Sequence, residues 1–352
     1  MNIHEKYIKR CIELAQNGLG TTYPNPMVGS VIVHNNKIIG EGWHRKAGEP
    51  HAEVNAINSV KNEELLKDSV IYVSLEPCSH YGKTPPCSDF IIAKGIKKVV
   101  IGTMDPFAKV AGRGIKKLLD AGCKVKVGVL EKECLELNKR FFTFHKKHRP
   151  YIILKWAQTE DGFIAPENRD DNRPVWITNK YSGQIVHKWR SEEAAILVGT
   201  NTVLKDNPSL NVRKWTGHDP VRIIIDRELK TPKDFSILDG KQKTIVICES
   251  KTERSEIEGL SYEQIDFTDN ISEKLCELLY KNELQSVIIE GGSLTLQQFI
   301  DAGLWDEARI FTGRSEFKKG VKAPGFQGKL VSELDIEGDR LKIYKNDQSN
   351  NI

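Results

Sequence analysis

Four residues constrain the fold of this chain more than any other feature: His51, Glu53, Cys78 and Cys87. One imidazole and two thiolates are suitable zinc ligands, and three protein ligands leave the fourth tetrahedral position for a water, as in catalytic zinc sites. Glu53 lies two residues from His51 and is not needed as a ligand, so it is free to carry protons. A fold that uses this set must bring positions 51, 78 and 87 together.

The order of these residues matches the zinc deaminase signature, in which His-x-Glu is followed by Pro-Cys-x-x-Cys. This chain differs in the second half of the pattern, because eight residues separate Cys78 from Cys87. The residues alone leave three other interpretations open: a chance association, a structural zinc, and a site in which His80 is a ligand. We expect Zn²⁺ at His51, Cys78 and Cys87.

Helix and strand patterns alternate through the first half of the chain. Apolar residues recur at helical spacing over 4–17, and short apolar runs such as 69–74 and 98–102 predict buried strands. The pattern places His51 at the start of a helix and Cys78 directly after a strand. This alternation predicts a three-layer α/β/α domain.

The length of 352 residues predicts two domains, which we place at 1–146 and 150–345. Residues 139–150 are rich in Lys, Arg and His and are expected to form a solvated basic connector, with a phosphate or partner site as the alternative. The net charge of +4, with both signs interspersed, does not require a nucleic-acid partner. No apolar run reaches the roughly 18 residues of a membrane helix, and the N-terminus lacks a signal core. We therefore expect a cytoplasmic protein.

Five of the seven cysteines lie outside the zinc motif. They occur in apolar, periodic segments, where a free cysteine behaves as a small buried hydrophobe. We expect buried, reduced thiols at Cys11, Cys123, Cys134, Cys248 and Cys276.

The second half of the chain is again an α/β pattern, but its motifs are less specific. There is no G-x-G-x-x-G after its first strand. Glycines follow predicted strands at Gly199 and at Gly291-Gly292, where a ligand could approach the backbone and helix N-terminal amides attract phosphate. A plain tight turn explains either glycine motif equally well.

The zinc motif resembles the cytidine deaminase superfamily. Further segments resemble the bifunctional deaminase–reductase family of riboflavin biosynthesis, in which the cysteines are also widely spaced: 23–29 (YPNPMVG), 42–53 (from GWH to HAE), 76–87 (from EPCSH to TPPC) and 112–114 (GRG). The resemblance implies deamination of a phosphorylated diaminopyrimidine, with Glu53 as the catalytic residue. It also implies that Asn25 and His44 bind this substrate, together with His80, Lys83 and Thr84.

The order of motifs in the second half resembles the reductase domain of the same family, which is similar to dihydrofolate reductase in fold. The resemblance implies reduction of the ribosyl group by NADPH. It assigns cofactor binding to Ala157, Trp176, Thr202, Asp206 and the run Gly292, Ser293, Leu294, Thr295, Leu296, Gln297 and Gln298. It assigns substrate binding to Lys155, Pro174, Leu210, Arg213 and Glu290.

The chain departs from the family pattern at two positions. Pro174 stands where a small hydroxyl residue is common, and Asn207 where a second aspartate is common. Other roles remain open for two residues, since Trp176 could belong to the core and Arg213 could be a surface charge. Two other functions also remain open: a tRNA or nucleobase deaminase with a non-catalytic second half, and a zinc-stabilised binding module. The resemblance further implies a homo-oligomer.

Overall fold

The computed structural model describes residues 2–81, 85–106, 111–168, 175–250 and 257–347. The chain divides into two compact units, Met1–Lys147 and His148–Ile352. No helix within these described residues is long and apolar enough to cross a membrane.

The first unit contains helices α1 to α6 and strands β1 to β5. In chain order they are α1 (Ile3–Ala15), β1 (Gly29–His34), β2 (Lys37–Trp43), α2 (Ala52–Asn58), β3 (Val70–Leu75), α3 (Cys87–Ala93), β4 (Lys98–Thr103), α4 (Arg113–Asp120), β5 (Lys124–Val127), α5 (Glu131–Leu137) and α6 (Lys139–Lys147), with short 3₁₀ turns at Gln16–Gly18 and Glu63–Asp68.

Its sheet has the strand order β2-β1-β3-β4-β5. Strands β3, β4 and β5 are parallel, whereas β1 is antiparallel to both β2 and β3. Asn35 and Asn36 join β1 to β2 with φ of 48° and 60°, the left-handed conformation that a tight hairpin turn requires.

Helices cover both faces of this sheet. One apolar cluster contains Ile57 of α2, Ile91 of α3 and Leu118 of α4. A separate cluster on the other face contains Ile8 of α1 and Cys134 of α5. The predicted three-layer α/β/α domain is confirmed, because each face of the sheet buries its own set of helices.

One prediction for this unit is wrong. Residues 139–147 are not a solvated connector but helix α6, and its aromatic side chains Phe141, Phe142 and Phe144 are buried. The basic residues that suggested a connector occupy the rest of the helix surface, with Lys146 above the Phe142 ring. An amphipathic helix with a charged outer face can thus be mistaken for a linker when only its charges are considered.

The second unit contains helices α7 to α10 and strands β6 to β16. In chain order they are β6 (Tyr151–Gln158), β7 (Phe163–Pro166), α7 (Lys180–Glu192), β8 (Ala195–Gly199), α8 (Thr200–Asp206), β9 (Val221–Ile225), β10 (Thr244–Cys248), β11 (Leu260–Gln264), α9 (Ile271–Lys281), β12 (Ser286–Ile289), α10 (Ser293–Asp301), β13 (Glu307–Thr312), β14 (Gly320–Lys322), β15 (Lys329–Ile336) and β16 (Asp339–Lys345), with a 3₁₀ turn at Ser236–Leu238.

The main sheet of this unit has the order β11-β10-β9-β8-β12-β6-β13-β16-β15. Strands β6 and β8 to β13 run parallel, and the β15–β16 hairpin adds an antiparallel edge. Alternate residues of β6 lie in clusters on opposite faces, Ile152 with α9 and α10 and Ile153 with α7. Strand β12 lies between β6 and β8 and is parallel to both. The segments that follow these three strands therefore lie next to one another at the carboxyl edge of the sheet, where open α/β sheets bind ligands.

Candidate active sites

The three predicted zinc ligands of the first unit converge. The ligand atoms of His51, Cys78 and Cys87 lie within 4.8 Å of one another. His51 Nδ1 is 3.3 Å from Cys87 Sγ and 3.6 Å from Cys78 Sγ. One imidazole nitrogen and two sulfurs at these separations suit a single tetrahedral Zn²⁺ ion, so the residues present fit the metal.

Three elements of the fold hold these side chains. His51 immediately precedes α2, Cys78 follows β3 by three residues, and Cys87 is the first residue of α3. The backbone N–H of Cys87 donates to Cys78 Sγ at 3.2 Å. The contact with the Cys87 thiol lowers the pKa of Cys78, while the same contact and burial raise the pKa of Cys87. A thiolate is the form of cysteine that binds metal, so the lowered pKa of Cys78 suits it to act as a ligand.

Glu53 lies beside this cluster, in the first turn of α2. Its side chain is only 3% exposed, and burial raises the pKa of the carboxyl to about 7, although His51 acts in the opposite direction. A carboxyl with a pKa near the working pH can both accept and donate a proton, which is what a general acid–base residue must do.

Asn25 and His44 form a polar wall next to His51. The His44 ring meets the His51 ring edge-on, with centroids 5.2 Å apart. His44 Nδ1 is 3.2 Å from the carbonyl of Pro50, and its Nε2 is 3.1 Å from Asn25 Nδ2. A carbonyl only accepts, so Nδ1 carries the hydrogen and Nε2 accepts from the Asn25 amide. Burial lowers the pKa of His44, which favours this neutral form.

The other predicted residues of this site are less closely placed. His80 is exposed and does not belong to the ligand cluster that the described residues form. Lys83 and Thr84 lie outside the described residues.

Sequence reasoning missed Glu76, two residues before the predicted ligand Cys78. Its buried carboxylate accepts backbone N–H groups at 2.9 Å from Gly114, 3.0 Å from Gly112 and 3.2 Å from Ile115. It thus caps the N-terminus of α4 and ties that helix to the cysteine loop. An acidic residue at the end of an otherwise apolar strand was the available signal.

The second unit has a cavity of about 840 Å³ at the edge where β6, β8 and β12 end. Most residues assigned to the cofactor and substrate line it: Lys155, Ala157, Trp176, Thr202, Asp206, Leu210, Arg213, Glu290, Gly292, Ser293, Leu294, Thr295 and Gln298. Its volume is large enough for a dinucleotide and a small second molecule.

Two assigned residues of α10 do not line this cavity. Leu296 is fully buried in the core, and Gln297 bonds to Asp301 and Gly325 on the other side of the helix. The assigned Pro174 lies outside the described residues.

Glycines at the cavity edge are required by close packing. A Cβ on Gly199 would lie 2.7 Å from Thr295 Oγ1, and one on Gly291 would lie 3.0 Å from Thr295 Cβ. The hydroxyl of Thr202 accepts the Gly292 N–H at 3.0 Å. Small residues here bring the ends of β8 and β12 against the start of α10, and they keep backbone exposed to the cavity.

A buried ion cluster lies on one wall of the cavity. Arg190 donates to both oxygens of Glu290, at 2.8 and 3.3 Å, and Lys155 Nζ lies 3.7 Å from the same carboxylate. Burial opposes the charge, but Arg190 and Lys155 lower the pKa of Glu290 to about 2. Burial in turn lowers the pKa of Lys155. The wall combines one carboxylate with several cations, so it suits an anionic ligand.

Trp176 and Arg213 are both accessible. The indole of Trp176 is 68% exposed and lines the cavity, so it is not a core residue. Arg213 is exposed, and its Nη1 donates to Asn211 Oδ1 at 2.9 Å. Both side chains can therefore reach a ligand.

Sequence reasoning also missed Arg190 and His187, which are three residues apart on α7 and both line the cavity. The available signal was their i, i+3 spacing, which places two polar groups on one face of a helix that otherwise packs on the sheet.

Two family models match the chain. The model described as "Cytidine and deoxycytidylate deaminase zinc-binding region" matches residues 1–103. The "RibD C-terminal domain" model matches residues 150–313.

Curated relatives and solved structures extend the match over nearly the whole chain. The riboflavin biosynthesis protein RibD of Aquifex aeolicus is 44% identical, covering 97% of this chain and 94% of that protein. RibD of Actinobacillus pleuropneumoniae is 39% identical, with 91% and 88% covered. A Thermotoga maritima diaminohydroxyphosphoribosylaminopyrimidine deaminase/5-amino-6-(5-phosphoribosylamino)uracil reductase superposes with a TM-score of 0.87 at 38% identity, covering 98% of this chain and 99% of that one. The cytidine-deaminase-like and dihydrofolate-reductase-like fold classes predicted above are confirmed by these matches.

Proposed function

The chain belongs to the RibD family of riboflavin biosynthesis proteins, and from that premise we propose which of its residues carry the two reactions. It is a bifunctional enzyme with a zinc-dependent deaminase and an NADPH-dependent reductase. Its substrate is a diaminohydroxyphosphoribosylaminopyrimidine, which is deaminated first and whose ribosyl side chain is then reduced to ribityl.

His51, Cys78 and Cys87 hold Zn²⁺ in the first unit. Bound zinc supplies a Lewis acid that makes water a competent nucleophile near neutral pH. Glu53 accepts one proton of the attacking water and delivers it to the pyrimidine ring nitrogen. It then accepts the second proton from the same oxygen, now a hydroxyl on the substrate carbon, and delivers it to the amino group, which leaves as ammonia. Each transfer begins with the carboxyl in the state left by the previous one, so a single buried residue suffices.

Asn25 and His44 orient the pyrimidine. Burial lowers the pKa of His44 and so favours the neutral ring, although the hydrogen bond to the Pro50 carbonyl acts in the opposite direction. A neutral His44 contributes hydrogen bonding without adding a positive charge beside the predicted zinc ligands. The Asn25 amide is fixed by its hydrogen bond to the His44 imidazole, and its remaining polar atoms are available to the pyrimidine ring of the substrate.

In the second unit, Ala157, Trp176, Thr202, Asp206 and the N-terminal part of α10 hold NADPH, which supplies the hydride. The ammonium group of Lys155 lies 3.7 Å from the Glu290 carboxylate. Lys155 supplies the proton that accompanies the hydride to the reduced sugar. Leu210, Arg213 and Glu290 bind the phosphorylated substrate. We add Arg190 to this set because it is buried against Glu290. Pro174 stays a predicted substrate-binding residue that lies outside the described residues.

The observation that carries the proposal is the convergence of three zinc-binding side chains next to the buried Glu53, in a chain whose second unit has a cation-lined cavity. The test is to incubate the protein with the diaminopyrimidine substrate, with and without NADPH, and to follow ammonia and NADPH separately. We expect ammonia in both reactions and NADPH oxidation only after deamination. Ammonia release that requires NADPH would contradict the assignment of the two reactions to separate sites.

The proposal includes a cytoplasmic location and a homo-oligomer of two or more chains, with a small phosphorylated molecule rather than nucleic acid or a membrane as the ligand. Light scattering of the purified protein tests the oligomer. A strictly monomeric protein with full activity would contradict it.

A further inference from the structure

The segment 207–213 carries two of the residues assigned to the phosphorylated substrate, Leu210 and Arg213. Asn207 ends α8 in the left-handed region, which asparagine tolerates, but Leu210 adopts the same region with φ of 53°, where a branched apolar side chain does so at a cost. A segment with such a residue keeps its shape only if the surrounding structure holds it.

Helix α7 holds this segment through two side chains one turn apart. Arg190 Nη1 donates to the Asn211 carbonyl at 3.4 Å. His187 Nδ1 accepts the backbone N–H of Arg213 at 3.3 Å. The first contact belongs to a residue that also binds Glu290, whereas the second contact directly fixes the main chain of Arg213.

His187 is suited to accept this hydrogen bond. It is only 4% exposed. Burial, together with the positive charges of Arg190, Arg213 and Lys214, lowers the pKa of His187 to about 4, although the nearby Asn211 carbonyl acts in the opposite direction. The ring is therefore neutral at physiological pH, and Nδ1 keeps the lone pair that an imidazolium would lack.

Arg213 depends on such support because its own side chain is exposed. Its guanidinium has one side-chain contact that the structure fixes, to Asn211 Oδ1 within the same segment. A long side chain on an unsupported segment would have to be ordered when ligand binds, which weakens binding.

We propose that His187 is a positioning residue of the reductase site: its Nδ1 fixes the main chain of Arg213 so that the guanidinium is presented to the phosphate of the substrate. This inference rests on the proposed reductase function. His187 itself need not touch the substrate or the cofactor.

Two substitutions separate the atoms of the imidazole. In His187→Asn the amide oxygen replaces Nδ1 as an acceptor, but nothing replaces Nε2. In His187→Gln the terminal amide reaches the Nε2 position and the Nδ1 acceptor is lost. The measurement is the KM and kcat of NADPH oxidation with the deaminated substrate, and the deaminase activity of the same preparations reports on folding of the first unit.

We expect His187→Gln to raise the substrate KM about fivefold with little change in kcat, as expected for the loss of one hydrogen bond that acts in binding. His187→Asn should restore KM to within about twofold of the native value. Equal KM values for the two variants, or a loss in the Asn variant alone, would overturn the proposal.

The double variant His187→Gln/Arg213→Ala provides a second measurement. If His187 acts through Arg213, its substitution adds nothing once the guanidinium is gone, and the double variant should match Arg213→Ala within about twofold. Additive losses would overturn the proposal while leaving the reductase function intact. The reductase function has a separate control, which is NADPH oxidation by the native protein with the deaminated substrate. If the native protein does not oxidise NADPH, both the reductase function and the inference about His187 are refuted.

Discussion

The zinc-ligand cluster of the first unit and the cavity of the second differ in how tightly the fold fixes their chemistry. The cluster consists of ligand atoms within 4.8 Å of one another, on side chains at the ends of three neighbouring elements. The cavity of about 840 Å³ is lined by residues from α7, α8 and α10, from several strands, and from the loop that carries Leu210 and Arg213. The first site depends on a few atoms, so single substitutions should abolish its reaction. The second distributes binding over many contacts, so most substitutions there should be graded.

The largest effect is expected for Glu53→Gln, because the amide keeps the shape of the side chain but cannot carry the proton. Deamination should fall by about a thousandfold, with zinc content and NADPH oxidation of pre-deaminated substrate unchanged. The assay is ammonia release at saturating substrate, with Glu64→Gln, an exposed acidic residue of the same unit, as the control. Near-native deamination by Glu53→Gln would contradict the role of Glu53 as proton carrier. It would also contradict the expectation that a single substitution abolishes the reaction of the first site.

Removal of zinc by a chelator should act on one site alone. We expect at least a hundredfold loss of deamination, recovery on addition of Zn²⁺, and unchanged reduction of pre-deaminated substrate. Parallel loss of both activities would show that the second unit also depends on the metal.

Glu290→Gln tests the buried ion cluster of the cavity. Removal of the carboxylate leaves Arg190 and Lys155 without their negative partner, which should lower the free energy of unfolding by about 3 kcal/mol, measured by thermal or urea unfolding. The folded-state pKa of Glu290, about 2, lies below the ordinary value. The carboxylate therefore stabilises the fold fully above about pH 4.3 and loses this contribution as the pH falls towards the folded value. The difference in unfolding free energy between the native protein and Glu290→Gln should therefore be constant above about pH 5 and shrink below about pH 4. A difference that grows in acid would contradict the stabilising role of the ion cluster.

The smallest of these effects is expected for Arg213→Ala. Loss of one charged contact to phosphate should raise the substrate KM about tenfold, while the Kd for NADPH stays constant. Lys188→Ala removes a charge from an exposed position of α7 outside the cavity lining and is the matched control. A change in NADPH affinity without a change in substrate KM would reverse the role assigned to Arg213.

The sequence predicted which side chains of the first unit come together, because the residues of the motif lie close to one another along the chain. His51 and Glu53 occupy one helix start, and Cys78 and Cys87 lie on either side of one loop, so residue type and order were enough to predict that His51, Cys78 and Cys87 converge. The resemblance to a known family was needed for the cavity, since residues as far apart as Lys155 and Glu290 meet only through the pairing of β6 with β12.

Two of the residues that the sequence did not reveal, Glu76 and His187, act through backbone atoms of distant segments. Glu76 binds N–H groups about 38 positions further along the chain, and His187 binds one that is 26 positions away. The sequence does not mark these backbone partners, because every residue except proline offers the same N–H group. Charges also misled prediction at residues 139–147, where the buried phenylalanine face of α6 determined the structure.

By itself, the sequence predicted the alternation of helices and strands, the convergence of His51, Cys78 and Cys87, and a proton-carrying role for Glu53, since these depend on periodicity and on side-chain chemistry. The structure confirms the alternation and the convergence. Tertiary structure alone decided that Glu290 is surrounded by Arg190 and Lys155, that Glu53 is buried, and that α7 supports the segment carrying Arg213. The physical reason is that a side chain brings its functional groups with it, whereas its pKa, its burial and its hydrogen-bond partners are set by whatever the fold places around it.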